Sequence, residues 1–264
     1  MSRIDRCFAE KRARGENALV CFLTAGDPDL ATTEELVVRI AESGADIVEL
    51  GVPFSDPLAD GPVIQASSFR ALQAGATVRR VLDSVSSIRR RCDVPIVLMT
   101  YYNPVQKYGL DRFAGDAAAS GANGVIVTDL PPEEASDWKR AADAVRLDTV
   151  FLLAPTSTKE RIESAANMAS GFIYCVSRTG VTGARDDVPP EVVDLVARIK
   201  SASPLPVAVG FGISKPEHVR QIAQCADGVV VGSALVNVVA ENAGSPAVFD
   251  KAAEFVHSLK AGLD

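Results

Sequence analysis

Residues 47–65 read IVELGVPFSDPLADGPVIQ and contain one complete passage from a strand to a helix. The apolar run at its start predicts a buried strand, Gly51-Val52-Pro53 ends that strand, and Gly61-Pro62 predicts the start of a helix. The predicted strand carries one carboxylate, Glu49, which is costly to bury without a partner. This stretch therefore predicts a β/α unit and a place for acid–base chemistry.

The same alternation of apolar runs and amphipathic segments continues along the chain. The apolar runs are rich in Val, Ile and Leu and lack polar alternation, which indicates a parallel sheet covered on both faces. An α/β fold of the (β/α)8 TIM barrel type is predicted. An open doubly wound sheet is less favoured because no Gly-x-Gly-x-x-Gly follows the first strand. The predicted strands are Leu19–Thr24, Asp46–Leu50, Val94–Thr100, Gly124–Thr128, Thr149–Leu153, Phe172–Val176, Val207–Val209 and Gly228–Val231.

Three helical features extend this barrel. Residues 2–14 predict an extra N-terminal helix placed to close the barrel bottom, and Ser233 opens an additional short helix after strand eight. Ser214, ahead of Lys215-Pro216-Glu217, has the capping-box pattern of a helix start. No linker or low-complexity tract is visible, so residues 1–264 are expected to form one domain. Further helices are predicted at Thr32–Ser43, Pro62–Gln73, Val78–Arg90 and Pro132–Ala144.

Composition excludes several classes of protein. The chain has 27 Lys and Arg against 34 Asp and Glu, a net charge of −7, and no long basic run, which argues against nucleic-acid binding. No apolar stretch approaches the roughly 20 residues of a membrane span. The charged N-terminus lacks an apolar export signal, and the five scattered cysteines lack C-x-x-C spacing. A cytoplasmic protein without a disulfide framework or zinc site is expected.

The first stretch holds the candidate acid–base groups. Strand alternation turns Glu49 into the barrel if Val48 and Leu50 face the helices. Burial there would raise its pKa toward neutrality, as a general acid needs. The alternative is a structural pair with a buried Arg, although no predicted strand contains Arg or Lys. Asp60 fits either a second catalytic carboxylate or an N-cap, and Asp56 also fits an ordinary turn.

The last two strands predict a phosphate site. Each runs into a glycine-containing segment, Gly210–Ser214 or Gly232–Ala234. Glycines allow close approach of a ligand, and the helix N-terminus offers free N–H groups. These loops are the usual phosphate site of the barrel, while tight turns alone are the alternative. The polar, glycine-punctuated loop Ser177–Asp187 is typical of a lid or of a surface loop.

The lack of His and Lys in the predicted strands limits the reactions that the site could catalyse. The two histidines lie in predicted helices and no predicted strand contains Lys, which argues against a His-bound metal, a Ser-His-Asp triad and a Schiff base. Carboxylate chemistry on a phosphorylated substrate, without metal or bound cofactor, remains. Apolar and aromatic residues at the strand ends suit a flat apolar portion of a ligand. They are Phe22, Met99, Tyr101, Leu152, Tyr174 and Phe211.

Motifs along nearly the whole chain resemble the tryptophan synthase alpha subunit family. The most specific is the segment from Glu49 to Pro62, ELGVPFSDPLADGP. The others follow in the family's order, namely Phe22–Pro28 (FLTAGDP), Tyr102-Asn103-Pro104, Asp129-Leu130-Pro131, Ser177–Gly183 (SRTGVTG) and Gly210–Ser214 (GFGIS).

The resemblance implies a lyase that cleaves indole-3-glycerol phosphate to indole and glyceraldehyde 3-phosphate. Glu49 would be the acid/base that protonates indole C3, and Asp60 would bind the indole N–H. Thr182 would be a lid residue that contacts Asp60 on closure. The resemblance places the substrate phosphate at Gly183, Gly212, Gly232 and Ser233, and the indole pocket at Phe22, Tyr101, Leu152, Tyr174 and Phe211.

The resemblance also implies a partner. It is a pyridoxal-phosphate-dependent beta subunit, in an alpha2beta2 assembly that receives the indole and holds the cofactor. Asp56, Asn103 and Pro104 would lie in loops that face this partner. Three other functions stay open: a stand-alone lyase that releases free indole, a barrel kept only as an activating partner, and a phosphosugar isomerase.

Overall fold

A computed structural model describes residues 1–176, 189–210 and 212–263. Within these ranges the chain forms nine strands, which alternate with helices for most of its length. The predicted Gly183, Thr182 and Phe211 lie outside the described residues. The strands are β1 (Ala18–Thr24), β2 (Ile47–Gly51), β3 (Ile96–Thr100), β4 (Gly124–Val127), β5 (Asp148–Val150), β6 (Leu152–Leu153), β7 (Ile173–Val176), β8 (Val207–Gly210) and β9 (Gly228–Val231).

Twelve α-helices are described around these strands. They are α1 (Arg3–Arg14), α2 (Leu30–Glu42), α3 (Pro62–Gln73), α4 (Val78–Arg89), α5 (Tyr102–Tyr108), α6 (Leu110–Ser120), α7 (Ser136–Ala144), α8 (Lys159–Met168), α9 (Pro190–Ala202), α10 (Pro216–Ala223), α11 (Ser233–Glu241) and α12 (Ala247–Lys260). None of these helices combines the length and the apolar character needed to cross a membrane.

The strands form one parallel sheet in the order β5-β4-β3-β2-β1-β9-β8-β7-β6. The two strands at the ends of this order, β5 and β6, are separated in the chain only by Phe151. The sheet is therefore a nearly closed barrel, and the predicted (β/α)8 fold is confirmed.

The predicted fifth strand is interrupted because its two halves pair with different neighbours. Asp148–Val150 pairs with β4, whereas Leu152–Leu153 pairs with β7. Between them, the Phe151 carbonyl accepts the Tyr174 N–H at 3.0 Å. The stagger between tilted barrel strands requires such a change of partner, and sequence alternation does not report it.

Two apolar layers follow from the alternation of side chains along the strands. Val48 and Leu50 pack outward, into the layer shared with the helices. Ile47 packs inward, with side chains from β1, β3, β4 and β8. Ile4 and Phe8 of α1 join this inner layer, and the rings of Phe8 and Phe172 lie 5.7 Å apart. The N-terminal helix therefore closes the barrel bottom, as predicted.

Three local predictions are corrected. Pro132–Ala144 is not one helix, because a 3-10 turn at Pro132–Glu134 precedes α7. Lys215, not Ser214, is the N-cap of α10, and its side chain makes no capping hydrogen bond. Asn103 and Pro104 do not lie in a loop, since both belong to the first turn of α5. A proline fits that turn, where its missing N–H leaves no bond unmade.

Candidate active site

Glu49 is the third residue of β2, and it points into the barrel. Its register neighbours are Phe22 on β1 and Val97 on β3. The residue is 1% exposed, and its Oε1 has no hydrogen-bond partner in the described part of the chain. The described residues also form no ion pair with it, so the alternative of a structural pair with a buried Arg finds no support. Buried polar groups are normally satisfied, so an unpaired one calls for an explanation, and a catalytic role is one such explanation.

Burial alone raises the pKa of Glu49 from its ordinary value of 4.5 to about 8. A carboxyl with that pKa is roughly nine-tenths protonated at pH 7. It can therefore donate a proton to a ligand at neutral pH, which an ordinary glutamate cannot do. The shift has one cause, the loss of water around the charged form.

Asp60 lies between β2 and α3, where Tyr101 holds its side chain. The Tyr101 hydroxyl donates to Asp60 Oδ2 at 2.9 Å and accepts the Ala59 N–H at 3.1 Å. The ring of Phe54 packs on Tyr101 with centroids 5.2 Å apart. Burial raises the pKa of Asp60, and the Tyr101 hydroxyl opposes that rise. Gly61 is the N-cap of α3 and no side chain caps it, so the N-cap alternative for Asp60 is wrong.

Four of the apolar residues predicted for the ligand pocket are described: Phe22 on β1, Tyr101 directly after β3, Leu152 on β6 and Tyr174 on β7. Leu152 and Tyr174 are register partners on β6 and β7. Phe22 packs so closely over Gly51 that a Cβ there would lie 2.6 Å from its Cζ. A Cβ on Gly210 would lie 2.5 Å from the Tyr174 hydroxyl oxygen. Glycine at these two positions therefore makes room for the two rings.

Replacing Gly51 with alanine tests this packing. We expect Gly51→Ala to lower the free energy of unfolding by about 1 to 3 kcal/mol, because the added methyl group must displace the Phe22 ring. Gly115→Ala on α6 is the control, since a Cβ there meets nothing within 4 Å. It should raise stability by about 0.5 to 1 kcal/mol, the helix preference of alanine over glycine. Denaturant unfolding measures both, and equal stability of the two variants would contradict the described packing.

The predicted phosphate positions follow two neighbouring strands, β8 and β9. Gly212 is exposed with φ of +43°, and a Cβ there would meet nothing within 4 Å. Gly232 is the N-cap of α11, and the exposed Ser233 is its first residue. Such a helix start presents free N–H groups to an anion. The structure brings these three residues to the barrel end at which β2 carries Glu49 toward the loop of Asp60.

Comparison with known proteins agrees with this geometry. The family model described as tryptophan synthase alpha chain matches residues 8–263. The tryptophan synthase alpha chain of Geobacter sulfurreducens is 56% identical over 263 residues, 100% of this chain and 99% of that protein. The chain belongs to this family. It is accordingly a lyase of tryptophan biosynthesis.

Solved structures of the family superimpose on the whole chain. Tryptophan synthase subunit alpha from Legionella pneumophila gives a TM-score of 0.93 at 38% identity, covering 100% of this chain and 99% of that one. The aminoacrylate-bound tryptophan synthase from M. tuberculosis gives 0.90 at 39% identity, with 100% of both chains covered. The shared fold therefore includes the barrel mouth that holds Glu49 and Asp60.

The residues expected to face a partner lie on the surface near this mouth. Asp56 is exposed, and the Ser55 hydroxyl donates to its Oδ2 at 2.5 Å. Leu58 in the same loop is 92% exposed. Asn103 is exposed and Pro104 half-buried, at the start of α5. No described contact joins Asp56 to Asp60, so the two carboxylates of this loop have different surroundings.

Two features of the structure were not predicted from the sequence. The bond from Tyr101 to Asp60 joins residues 41 positions apart, and no local pattern signals it. The second feature is the buried carboxyl of Asp148, which is 9% exposed and whose Oδ2 has no hydrogen-bond partner among the described residues; Asp148 opens β5 at the opposite end of the barrel. Among the described residues, no group of three or more His, Cys, Asp or Glu is arranged to hold a metal ion.

The raised pKa of Glu49 predicts a pH-dependent stability difference. The folded state keeps the proton up to about pH 8, while an unfolded glutamate releases it near 4.5. Between these values folded Glu49 binds more protons than unfolded Glu49, so its contribution to the stability of the wild type falls as the pH rises. Glu49→Gln removes this loss. We expect its unfolding free energy, relative to wild type, to increase by on the order of 3 kcal/mol from pH 4 to pH 7.

Urea unfolding across this pH range measures the difference between the two proteins. The comparison is internal, since the variant and the wild type share every other titrating group. A difference that stays constant from pH 4 to pH 8 would show that Glu49 titrates like an exposed glutamate.

Proposed function

We propose that this chain cleaves indole-3-glycerol phosphate to indole and D-glyceraldehyde 3-phosphate. The observation that carries the proposal is the buried Glu49 carboxyl, whose Oε1 has no hydrogen-bond partner among the described residues and whose pKa of about 8 keeps it protonated at neutral pH. A group of this kind is suited to protonating carbon, which needs a positioned acid and the exclusion of water.

The protonated Glu49 donates its proton to C3 of the indole ring. This makes the ring cationic and weakens the bond between C3 and the glycerol carbon. The Glu49 carboxylate then accepts the proton of the adjacent glycerol hydroxyl, while the electrons of the broken carbon–carbon bond return to the ring. An aldehyde and indole result. One proton is given and one is taken back, so the residue ends in its starting state.

Asp60 stabilises the cationic ring in this mechanism. Its Oδ2 is held by the Tyr101 hydroxyl, which leaves Oδ1 to accept a hydrogen bond from the indole N–H. The interaction strengthens as positive charge develops on the ring, so it favours the transition state over the bound substrate. The hydrogen bond from Tyr101 also fixes the orientation of the Asp60 carboxylate before the substrate binds.

The remaining mouth residues provide the two ends of the substrate site. Gly212, Gly232 and Ser233, together with Gly183, hold the phosphate. Their support is the exposed helix start at α11 and the open space around Gly212. The role of a lid residue that contacts Asp60 is assigned to Thr182 from the family resemblance, and Thr182 lies outside the described residues. The indole ring lies among Phe22, Tyr101, Leu152, Tyr174 and Phe211.

We further propose that indole passes to a beta subunit in an alpha2beta2 assembly. Support comes from the match to tryptophan synthase structures from M. tuberculosis. The loop of Asp56, with the 92% exposed Leu58, is the surface assigned to this contact. Asn103 and Pro104 extend this surface.

The cytoplasm is the proposed location, which fits the free thiols of all five cysteines.

Pyridoxal phosphate is assigned to the beta subunit, and no cofactor to this chain. None of the nine described strands contains a lysine. A lysine at the barrel mouth is what a Schiff base with the cofactor would require. The residues of this chain therefore bind and orient the indole substrate, and the condensation with L-serine belongs to the partner.

Assaying the isolated chain with and without a beta subunit tests the proposal. Indole formation from indole-3-glycerol phosphate is expected in both cases, and faster with the partner. No indole in either case would contradict the lyase assignment. High activity that a beta subunit leaves unchanged would instead favour the stand-alone lyase that releases free indole.

A further inference from the structure

His218 is a buried histidine that the proposed mechanism does not use. It lies in the first turn of α10 and is 6% exposed, whereas the second histidine of the chain, His257, is exposed. The sequence placed both residues in helices, away from the strand ends. In the structure His218 does lie in a helix, and its imidazole packs against the segment that leads from β8 into α10.

The His218 ring binds the backbone of that segment. The Ser214 N–H donates to His218 Nδ1 at 3.4 Å. Nδ1 accepts a hydrogen bond only when it carries no proton, so this bond requires the ring form with its hydrogen on Nε2. Lys215 is the N-cap of α10, which makes His218 the third helical residue. Its side chain reaches back toward the preceding chain, as the third residue does in a capping box.

Ser214 lies two residues after Gly212, which is one of the proposed phosphate positions. In the described part of this loop, Gly212 is exposed and a Cβ there would meet nothing within 4 Å, while Ile213 is buried. The loop is therefore anchored by the Ile213 side chain and by the bond from Ser214 to His218, and Gly212 itself is open to solvent.

We infer that His218 is a positioning residue for the substrate phosphate, acting through the Ser214 N–H to hold Gly212 in place. The inference rests on the proposed function, because it assigns the loop after β8 to phosphate binding. His218 does not touch the substrate. A loop fixed in advance loses less conformational freedom when it binds the phosphate, so the bond increases affinity without entering the chemical step.

Two substitutions separate the acceptor nitrogen from the bulk of the ring. His218→Leu keeps apolar volume and removes the acceptor. His218→Asn offers an oxygen at about the distance of Nδ1 from the backbone. We expect His218→Leu to weaken binding of inorganic phosphate, and to raise KM for indole-3-glycerol phosphate, by about tenfold, the order expected for one hydrogen bond. Its kcat should stay within about twofold of wild type, and His218→Asn should restore most of the affinity.

His257→Gln is the matched control, because it removes the exposed histidine of α12. It should leave phosphate affinity unchanged. It also assigns the imidazole signals in a 15N-histidine NMR spectrum, since the chain has two histidines. A His218 proton on Nε2 supports the inference, and a proton on Nδ1 overturns it.

The binding series is decisive in either direction. Loss of phosphate affinity in His218→Leu, together with its recovery in His218→Asn, supports the inference. Equal phosphate affinity in the wild type and all the variants would overturn the inference, and so would an equal loss of affinity in His218→Leu and His218→Asn. The proposed function would then still be judged separately, by the cleavage activity of the wild type. Wild-type protein that binds phosphate but forms no indole would overturn the proposed function, while the affinity series would still decide the role of His218.

Discussion

Glu49→Gln is expected to lower kcat for indole formation by about a thousandfold or more, within the range for loss of a general acid and base. Glutamine has nearly the same size and fills the same position in β2, but it cannot give a proton to indole C3 or take one from the glycerol hydroxyl. Phosphate affinity should not change, because the proposed phosphate residues belong to the loops after β8 and β9. Measuring indole release and phosphate binding on the same preparation checks both parts.

Asp148→Asn is the matched control for this variant. Asp148 is also a buried carboxyl whose pKa burial raises, but it lies at the opposite end of the barrel. The control should keep near-normal kcat whatever it does to stability. Near-normal turnover in Glu49→Gln would contradict the assignment of Glu49, and a large loss in Asp148→Asn would show that activity follows stability.

Asp60→Asn is expected to lower kcat by about a hundredfold, with a smaller change in KM. The amide keeps the shape of the carboxylate and can still accept the Tyr101 hydroxyl, but it carries no negative charge to oppose the cationic ring. The residual rate should exceed that of Glu49→Gln, because proton transfer by Glu49 remains possible. Steady-state kinetics with indole-3-glycerol phosphate measure both constants.

Asp83→Asn controls for removal of a carboxylate elsewhere. Asp83 is exposed on α4, and its variant should match the wild type in kcat and KM. If Asp60→Asn instead raised KM tenfold or more and left kcat unchanged, Asp60 would bind the substrate without stabilising the transition state. The proposed role in charge stabilisation would then be wrong.

The sequence alone predicted the fold and the direction of Glu49 because both depend on short-range periodicity. Apolar runs without polar alternation specify buried parallel strands, and a period of two residues fixes which side chains face the barrel interior. The outward packing of Val48 and Leu50 and the burial of Glu49 follow directly. The helix predicted at residues 2–14 is also confirmed at the barrel bottom, but its contact residues Ile4 and Phe8 come from the structure alone.

Other features depend on contacts between residues far apart in the chain. The cap and catalytic interpretations of Asp60 are equally compatible with its sequence. In the structure Gly61 is the N-cap of α3, and the Asp60 side chain instead accepts a hydrogen bond from Tyr101, 41 residues later. Phe151 interrupts a strand because β4 and β7 each pair with one half of it. The capping box assigned to Ser214 failed because the helix starts one residue later than the pattern predicts, so that His218 occupies the third helical position.

The most direct test of Glu49 as the acid that protonates indole is the titration of its carboxyl in the intact protein. A difference between the 13C-carboxyl NMR spectra of wild type and Glu49→Gln, recorded from pH 4 to pH 9, isolates this signal. We expect one titration with a midpoint near 8, the pKa that burial gives the Glu49 carboxyl. A midpoint near the ordinary glutamate pKa of 4.5 would show that Glu49 holds no proton at neutral pH and would contradict its role as the acid that protonates indole.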